Sequence, residues 1–202
     1  MNHEHEWGEA TVWEKNWWGN CCNTFGEEFK QLAYADKMGL KSYHNGKSPF
    51  NFNLQGKTVL DIGGGPCSLL LKCINVSGTV ADPCDYPQWT IDRYNTAGIA
   101  SIKIKGEDLS STATYDEVWL YNVLQHTDDP SLILKNARAI SKLIRIFEWV
   151  NTGVSDGHLH DLTKENLDLW LGGEGQVGYI EQNTAVGKCY FGIFLGDNYE
   201  NP

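Results

Sequence analysis

Acidic residues and glycines recur in this chain where a nucleotide-like ligand would need them. The stretch Lys57 to Leu71, KTVLDIGGGPCSLLL, places Asp61 just ahead of Gly63, Gly64 and Gly65. Consecutive glycines let a backbone turn sharply and lie close to a ligand, and a carboxylate beside the turn supplies an acceptor. A second acid, Asp82, follows about 20 positions further on, the spacing at which such a residue accepts hydrogen bonds from ribose hydroxyls. Glu107 and Asp108 stand after the next apolar run, and Asn122, then His126, after the one beyond it. Packing alone gives no reason for polar groups at four successive run ends, so they point to a ligand site.

Histidines add candidate proton acceptors. His126 belongs to this set, and His158 and His160 lie in the polar stretch from Asn151 to His160. Each has a plainer alternative: His126 as a loop cap, the other two as an exposed pair. The H-x-H pairs His3/His5 and His158/His160 also raise metal binding. Without cysteines beside them or an H-E-x-x-H helix, the expectation is no metal site. Trp7, Trp13, Trp17 and Trp18 crowd the start of the chain. They fit either a packed cap or a lid whose indoles close over a ligand, and Trp17 and Trp18 are the candidate acceptor contacts.

The elements that must position these groups alternate. Thr24 to Met38 reads as a helix with a T-x-x-E capping box, Thr24 and Glu27, and with Phe25, Phe29, Leu32 and Ala33 as core contacts. Leu40 to Gln55 reads as a loop. The pattern then predicts strand Thr58 to Ile62, helix Pro66 to Ile74, strand Thr79 to Asp82, helix Tyr86 to Thr96 and strand Ser101 to Ile104. Strand Glu117 to Tyr121, helix Ser131 to Leu143 and strand Ile144 to Trp149 follow. A helix at Lys164 to Leu171 ends at Gly172-Gly173. Two β-rich runs, Gln176 to Ile180 and Lys188 to Phe194, are joined by a turn with Asn183 and Gly187, which predicts an antiparallel pair. The whole predicts one α/β domain over 1–202, a doubly wound, mostly parallel seven-stranded sheet. Residues 1–56 would form a helical cap or lid, and 57–202 the Rossmann-like core.

Two cofactor chemistries fit such a frame. A nicotinamide dinucleotide needs G-x-G-x-x-G at a helix start for its pyrophosphate, whereas this chain reads G-G-G-P-C-S. A sulfonium nucleoside carries no phosphate and favours acidic strand ends. VLDIGGGPCSLLL, TVADP, GEDL and YDEVWLYNVLQHTDDP, in this order, resemble the successive motifs of class I S-adenosylmethionine-dependent methyltransferases. The tail segments HLHDLTKENLDLWLG and GKCYFGIF are similar to that family's last helix and closing strands.

The resemblance implies S-adenosylmethionine as cofactor, with Gly63 to Gly65 under its methionine part and Asp61 at its amino group. Asp82 would hold the ribose, Glu107, Asp108 and Leu109 would meet the adenine, and Asn122 and Val123 would line the pocket. Cys67 stands where the family has a third glycine, which would crowd the backbone approach. The implied activity is methyl transfer to an oxygen or nitrogen atom of a small-molecule or sugar-like acceptor, with His126, His158 or His160 as base. The competing readings are a nicotinamide oxidoreductase and a non-catalytic binder acting through partners.

Charge and composition narrow the partners. A formal charge of −10 does not suit gripping a nucleic-acid backbone. No apolar run approaches the ~20 residues of a membrane helix, and the acidic start does not read as a signal peptide. Six cysteines without a C-x-x-C pair, and with Cys21 and Cys22 adjacent, predict reduced thiols in a cytoplasmic protein.

Overall fold

In the computed structural model, alternate residues of each central strand enter two separate cores, which is what a strand covered on both faces requires. Val59, Val80, Trp119, Tyr121 and Phe147 face one core, and Leu60, Ile62, Val118, Leu120 and Ile146 face the other. The structure describes Gly8, residues 12–14, Trp18, and residues 24–42, 52–110, 114–182 and 185–200. His3, His5, Trp7, Trp17, Cys21, Cys22 and Asn183, and the side chains of Thr24 and Phe25, lie outside the described residues.

The strands are β1 (Phe52–Ile62), β2 (Cys73–Ala81), β3 (Ala100–Ile102), β4 (Tyr115–Tyr121), β5 (Ser141–Trp149), β6 (Gln176–Gln182) and β7 (Ala185–Leu195). They form one seven-stranded sheet in the order β3-β2-β1-β4-β5-β7-β6. The first five are parallel, and β7 runs antiparallel to both β5 and β6. This is the doubly wound sheet with a terminal antiparallel pair that the pattern predicts.

Helices α1 (Thr24–Lys37) and α2 (Gln88–Thr96) cover the first core, and α3 (Pro130–Ala139) and α4 (Lys164–Leu171) the second. Local chemistry sets their ends. The Asp129 side chain accepts from Leu132 N with Pro130 in the first turn of α3, and Thr163 caps α4 by accepting from Asn166 N. Gly172, at φ 71°, ends α4 in the left-handed region where glycine carries no steric cost.

Several expected boundaries are wrong. No α-helix spans Pro66 to Ile74: two short 3-10 turns, Gly65–Cys67 and Leu69–Lys72, lead directly into β2. Four residues are too few to repay helix nucleation, and Leu70 instead packs on Gly78 of β2. The supposed loop up to Gln55 ends at Phe52, because β1 starts there and absorbs a register irregularity between Asn53 and Lys57. Gln55 and Gly56 have φ of 56° and 86°, the local distortion that breaks strand periodicity. Helix α3 stops at Ala139, and β5 starts at Ser141. Phe29 is not a core contact, being 55% exposed, while Tyr34, Ala35 and Met38 are buried.

Candidate functional site

The turn after β1 is held from below. Gly63 has φ 70°, and a Cβ there would lie 2.1 Å from Val123 Cγ2; one on Gly64 would lie 2.6 Å from Asp61 Oδ2. Gly65 has φ 58°. The first two glycines are therefore demanded by what packs beneath them, the third by its backbone conformation. Tyr94 donates to the Gly65 carbonyl at 2.5 Å and accepts from Ser68 N at 3.0 Å, so α2 clamps the turn.

Above this turn lies a cavity of about 420 Å³ at the carboxyl ends of β1, β2 and β4. Strand order reverses between β1 and β4, where open α/β sheets bind ligands. Gly63, Gly64, Gly65, Asp82, Glu107, Asn122, Val123, His126 and His158 all line it, as does Trp18. Asp82 ends β2 and secures the turn: Oδ2 accepts from Gly65 N at 3.0 Å, and Oδ1 from Cys84 N at 2.9 Å and Tyr86 Oη at 3.2 Å. Burial pushes its pKa up despite those donors.

Four expected site residues are not on the cavity wall. Asp61 is fully buried behind the turn, where Oδ2 accepts from Ser68 Oγ at 2.5 Å and from the Tyr121 hydroxyl. Burial pushes its pKa up to about 7. Its Oδ1 has no hydrogen-bond partner among the described residues. Asp108 is exposed, and Leu109 packs against the second core. His160 anchors its loop, with Nε2 at 2.8 Å from the Thr127 carbonyl. Glu107, which does line the cavity, also accepts from Asp128 N and Asp129 N. Cys67 is buried and is not among the residues that line the cavity.

The two remaining histidines differ in what their ring nitrogens already do. His126 Nδ1 faces the Gly157 carbonyl, so it carries the proton and donates. Nε2 is then the acceptor, 3.2 Å from Gln125 Nε2. Burial pushes the His126 pKa down to about 4, so the 3.3 Å approach of Glu14 Oε1 to Nδ1 is a contact with a neutral ring. The His158 ring lies edge-on to it, centroids 4.9 Å apart, with its pKa lowered by burial and no ring hydrogen bond among the described residues.

Glu14, Gln31 and Tyr34 line the cavity as well, and none of them is among the expected site residues. Burial, with the charge of Asp82 adding to it, pushes Glu14 up to about 7. Gln31 and Tyr34 come from α1, whose spacing gives one signal that was available. Glu27, Lys30, Gln31 and Tyr34 sit at i, i+3, i+4 and i+7, a largely polar stripe on one helix face. Among the described residues no group of three or more His, Cys, Asp or Glu is placed to hold a metal ion. No described helix is long and apolar enough to cross a membrane.

No family model and no curated protein matches the sequence. Solved structures do match. The 1,6-didemethyltoxoflavin-N1-methyltransferase of Burkholderia thailandensis, with bound 1,6-didemethyltoxoflavin and S-adenosylhomocysteine, superposes with a TM-score of 0.70 at 14% identity. The match covers 97% of this chain and 91% of that one. An O-methyltransferase family protein from the same organism gives a TM-score of 0.60 at 12% identity over 89% of this chain and 59% of that one. Magnesium protoporphyrin IX methyltransferase from Synechocystis, with bound S-adenosylmethionine, gives 0.57 at 13%, over 86% and 81%. At such identities the likeness is one of fold: this sheet and its helices have the Rossmann-like architecture of those methyltransferases.

Proposed function

We propose that this chain is an S-adenosylmethionine-dependent methyltransferase acting on an oxygen or nitrogen atom of a small acceptor. The observation that carries the reading is the cavity at the β1/β4 switch point, walled by Gly63 to Gly65 and Asp82. The residues present fit the cofactor: bare glycine backbone on one side and a half-buried carboxylate, Asp82, just past the end of β2. The dinucleotide alternative loses its pyrophosphate site, because a 3-10 turn stands where its helix N-terminus must be.

S-adenosylmethionine, when bound, supplies a methyl group made electrophilic by the sulfonium. The chain's own task is then to orient the acceptor and remove its proton. Both ring nitrogens of His126 are engaged, so it holds the loop of Gly157 in place. His158, neutral because burial lowers its pKa and with its ring nitrogens free of partners among the described residues, is the general base in this reading. Trp13 and Trp18 close the cavity from the N-terminal segment, which supports the lid reading of that segment.

Titration calorimetry with S-adenosylhomocysteine tests the cofactor assignment. Binding is expected, and Asp82→Ala is expected to weaken it at least about tenfold, the loss of a charge-assisted hydrogen bond. Absence of binding by both S-adenosylhomocysteine and S-adenosylmethionine overturns the reading. Label from methyl-tritiated cofactor should also pass to the small-molecule fraction of a cell extract.

A further inference from the structure

Glu148, at the end of β5, is 0% exposed, and the chemistry proposed above leaves this carboxyl without a task. It reaches across to the turn after β4: Val123 N donates to Oε1 at 3.1 Å and to Oε2 at 3.2 Å, and Leu124 N donates to Oε1 at 3.1 Å. These amides open the 3-10 turn Leu124–His126, whose N-cap residue, Val123, has no polar side chain to cap them. Glu148 therefore supplies from a neighbouring strand the cap that the turn lacks. The same turn pins the loop that carries His158. The Gly157 carbonyl accepts from His126 Nδ1, the Gln125 carbonyl from Leu159 N at 2.7 Å and His160 N at 3.3 Å, and the Thr127 carbonyl from His160 Nε2 at 2.8 Å. His158 lies between the pinned residues. Trp13 covers the loop so closely that a Cβ on Gly157 would lie 2.7 Å from its Cε3.

We propose that Glu148 is the positioning residue for His158: by capping the turn after β4 it fixes residues 125–127, and through them the loop that holds the His158 ring at the cavity wall. The proposal rests on the methyltransferase reading above, which makes His158 the base. Glu148 does not line the cavity, so it acts through the turn and not on a ligand. A buried carboxyl is costly unless donors meet it. Here both donors are backbone amides of one turn, so the acid's hydrogen bonds and the turn's conformation stand or fall together. Asn122, one residue before those amides, has a left-handed backbone at φ 56°, which the cap holds in place. The chemistry tolerates little drift, because a base must stay within hydrogen-bond reach of the proton it takes, and a misplacement of about 1 Å can cost ~10²-fold in rate.

The deciding readout is the His158 ring, titrated by proton NMR in the full chain, its signal assigned as the one missing from His158→Asn. Burial lowers its pKa from 6.5; the ionisable groups on that side are His126, edge-on at 4.9 Å, and Glu14, which lies against His126. Glu148→Met removes the acceptor with little change in volume. It is expected to free the loop, so that the His158 midpoint moves up toward 6.5. Label transfer from the methyl-tritiated cofactor should fall at least about tenfold, while S-adenosylhomocysteine affinity by calorimetry stays within about twofold. Glu148→Gln keeps an oxygen for both amides and should restore midpoint and rate. His160→Leu removes the pin at Thr127 and should raise the midpoint by a smaller amount, which carries the test if Glu148→Met does not fold. An unmoved midpoint in Glu148→Met or, where that variant does not fold, in His160→Leu overturns the proposal. So does a Glu148→Gln variant that behaves like Glu148→Met, or a loss of S-adenosylhomocysteine affinity as large as the loss of rate. Failure of the unaltered chain to bind S-adenosylhomocysteine overturns the methyltransferase reading instead, a result separate from what the His158 titration shows of the loop.

Discussion

At the scale of single residues, proton chemistry separates two histidines that the sequence could not tell apart. His126 and His158 both line the cavity, yet His126 spends Nδ1 on the Gly157 carbonyl and meets Gln125 at Nε2. Those partners lie on another loop or depend on a tautomer, and neither leaves a trace in local spacing. Gly63 to Gly65 and Asp82 were legible because their signal is local: a turn, and an acid at a fixed distance. Asp61 was legible as a carboxylate beside the glycine turn but not as a buried one, since the hydroxyls that occupy its Oδ2 come from Ser68 and, across the sheet, Tyr121. If His158 is the base, His158→Asn should lower the rate of label transfer from the methyl-tritiated cofactor about 10²-fold or more while leaving S-adenosylhomocysteine affinity unchanged. An unchanged rate would remove His158 from catalysis.

At the scale of elements, the strand order was readable from alternation, but what joins and braces the strands was not. The leucines of SLLLK suggest a helix, and only the early start of β2 at Cys73 shows why none forms. The brace is Arg145 of β5. Its Nε donates to Glu117 Oε2 at 2.7 Å and Nη2 to Glu117 Oε1 at 3.1 Å, while Nη1 donates to the Met38 carbonyl just past α1 at 2.7 Å. Burial raises the Glu117 pKa, but Arg145 and Lys57 outweigh it and hold the carboxyl at about 2. One guanidinium thus ties the sheet to the helix that carries the polar stripe. Arg145→Met should cost roughly 1.5–3 kcal/mol by urea denaturation, because Glu117 loses the guanidinium but keeps Lys57 Nζ at 2.6 Å and Trp119 Nε1 at 2.9 Å. Adding Glu117→Leu should recover much of that loss. Equal stability of the single and double variants would mean that the ion pair braces nothing.

At the scale of the whole molecule, the acidity that composition announced as a net charge of −10 is partly buried, and that changes its consequence. A surface charge excess argues about partners; a buried one argues about stability against pH. Burial pushes Glu14 to about 7 and Glu148 to about 8 from 4.5, and Asp61 to about 7 from 3.8. Glu148 is held against Val123 N and Leu124 N beneath the cavity. With folded pKa values above the unfolded ones, these three carboxyls contribute stability fully below about pH 4, and it is lost progressively as pH rises from there through 7 to 8. His126 has the opposite sign: lowered to about 4 from 6.5, it contributes fully above 6.5 and loses that contribution as pH falls through 4. Glu117 and Asp116, each held at about 2, add to the loss on the acid side. The two limbs meet near pH 4, because above it three carboxyls lose stability while one histidine gains it. Urea midpoints should therefore peak near pH 4 and fall from about 4.5 to 8, each buried carboxyl contributing up to ~1.4 kcal/mol per pH unit. Glu148→Gln, which keeps an oxygen for Val123 N and Leu124 N but cannot ionise, should flatten the alkaline limb. A stability that climbs through pH 8, or an alkaline slope that Glu148→Gln leaves unchanged, would show that these carboxyls are ionised in the native fold. A cationic ligand favours their ionised forms, so it should restore most stability on that same alkaline limb, where the ligand-free fold is weakest.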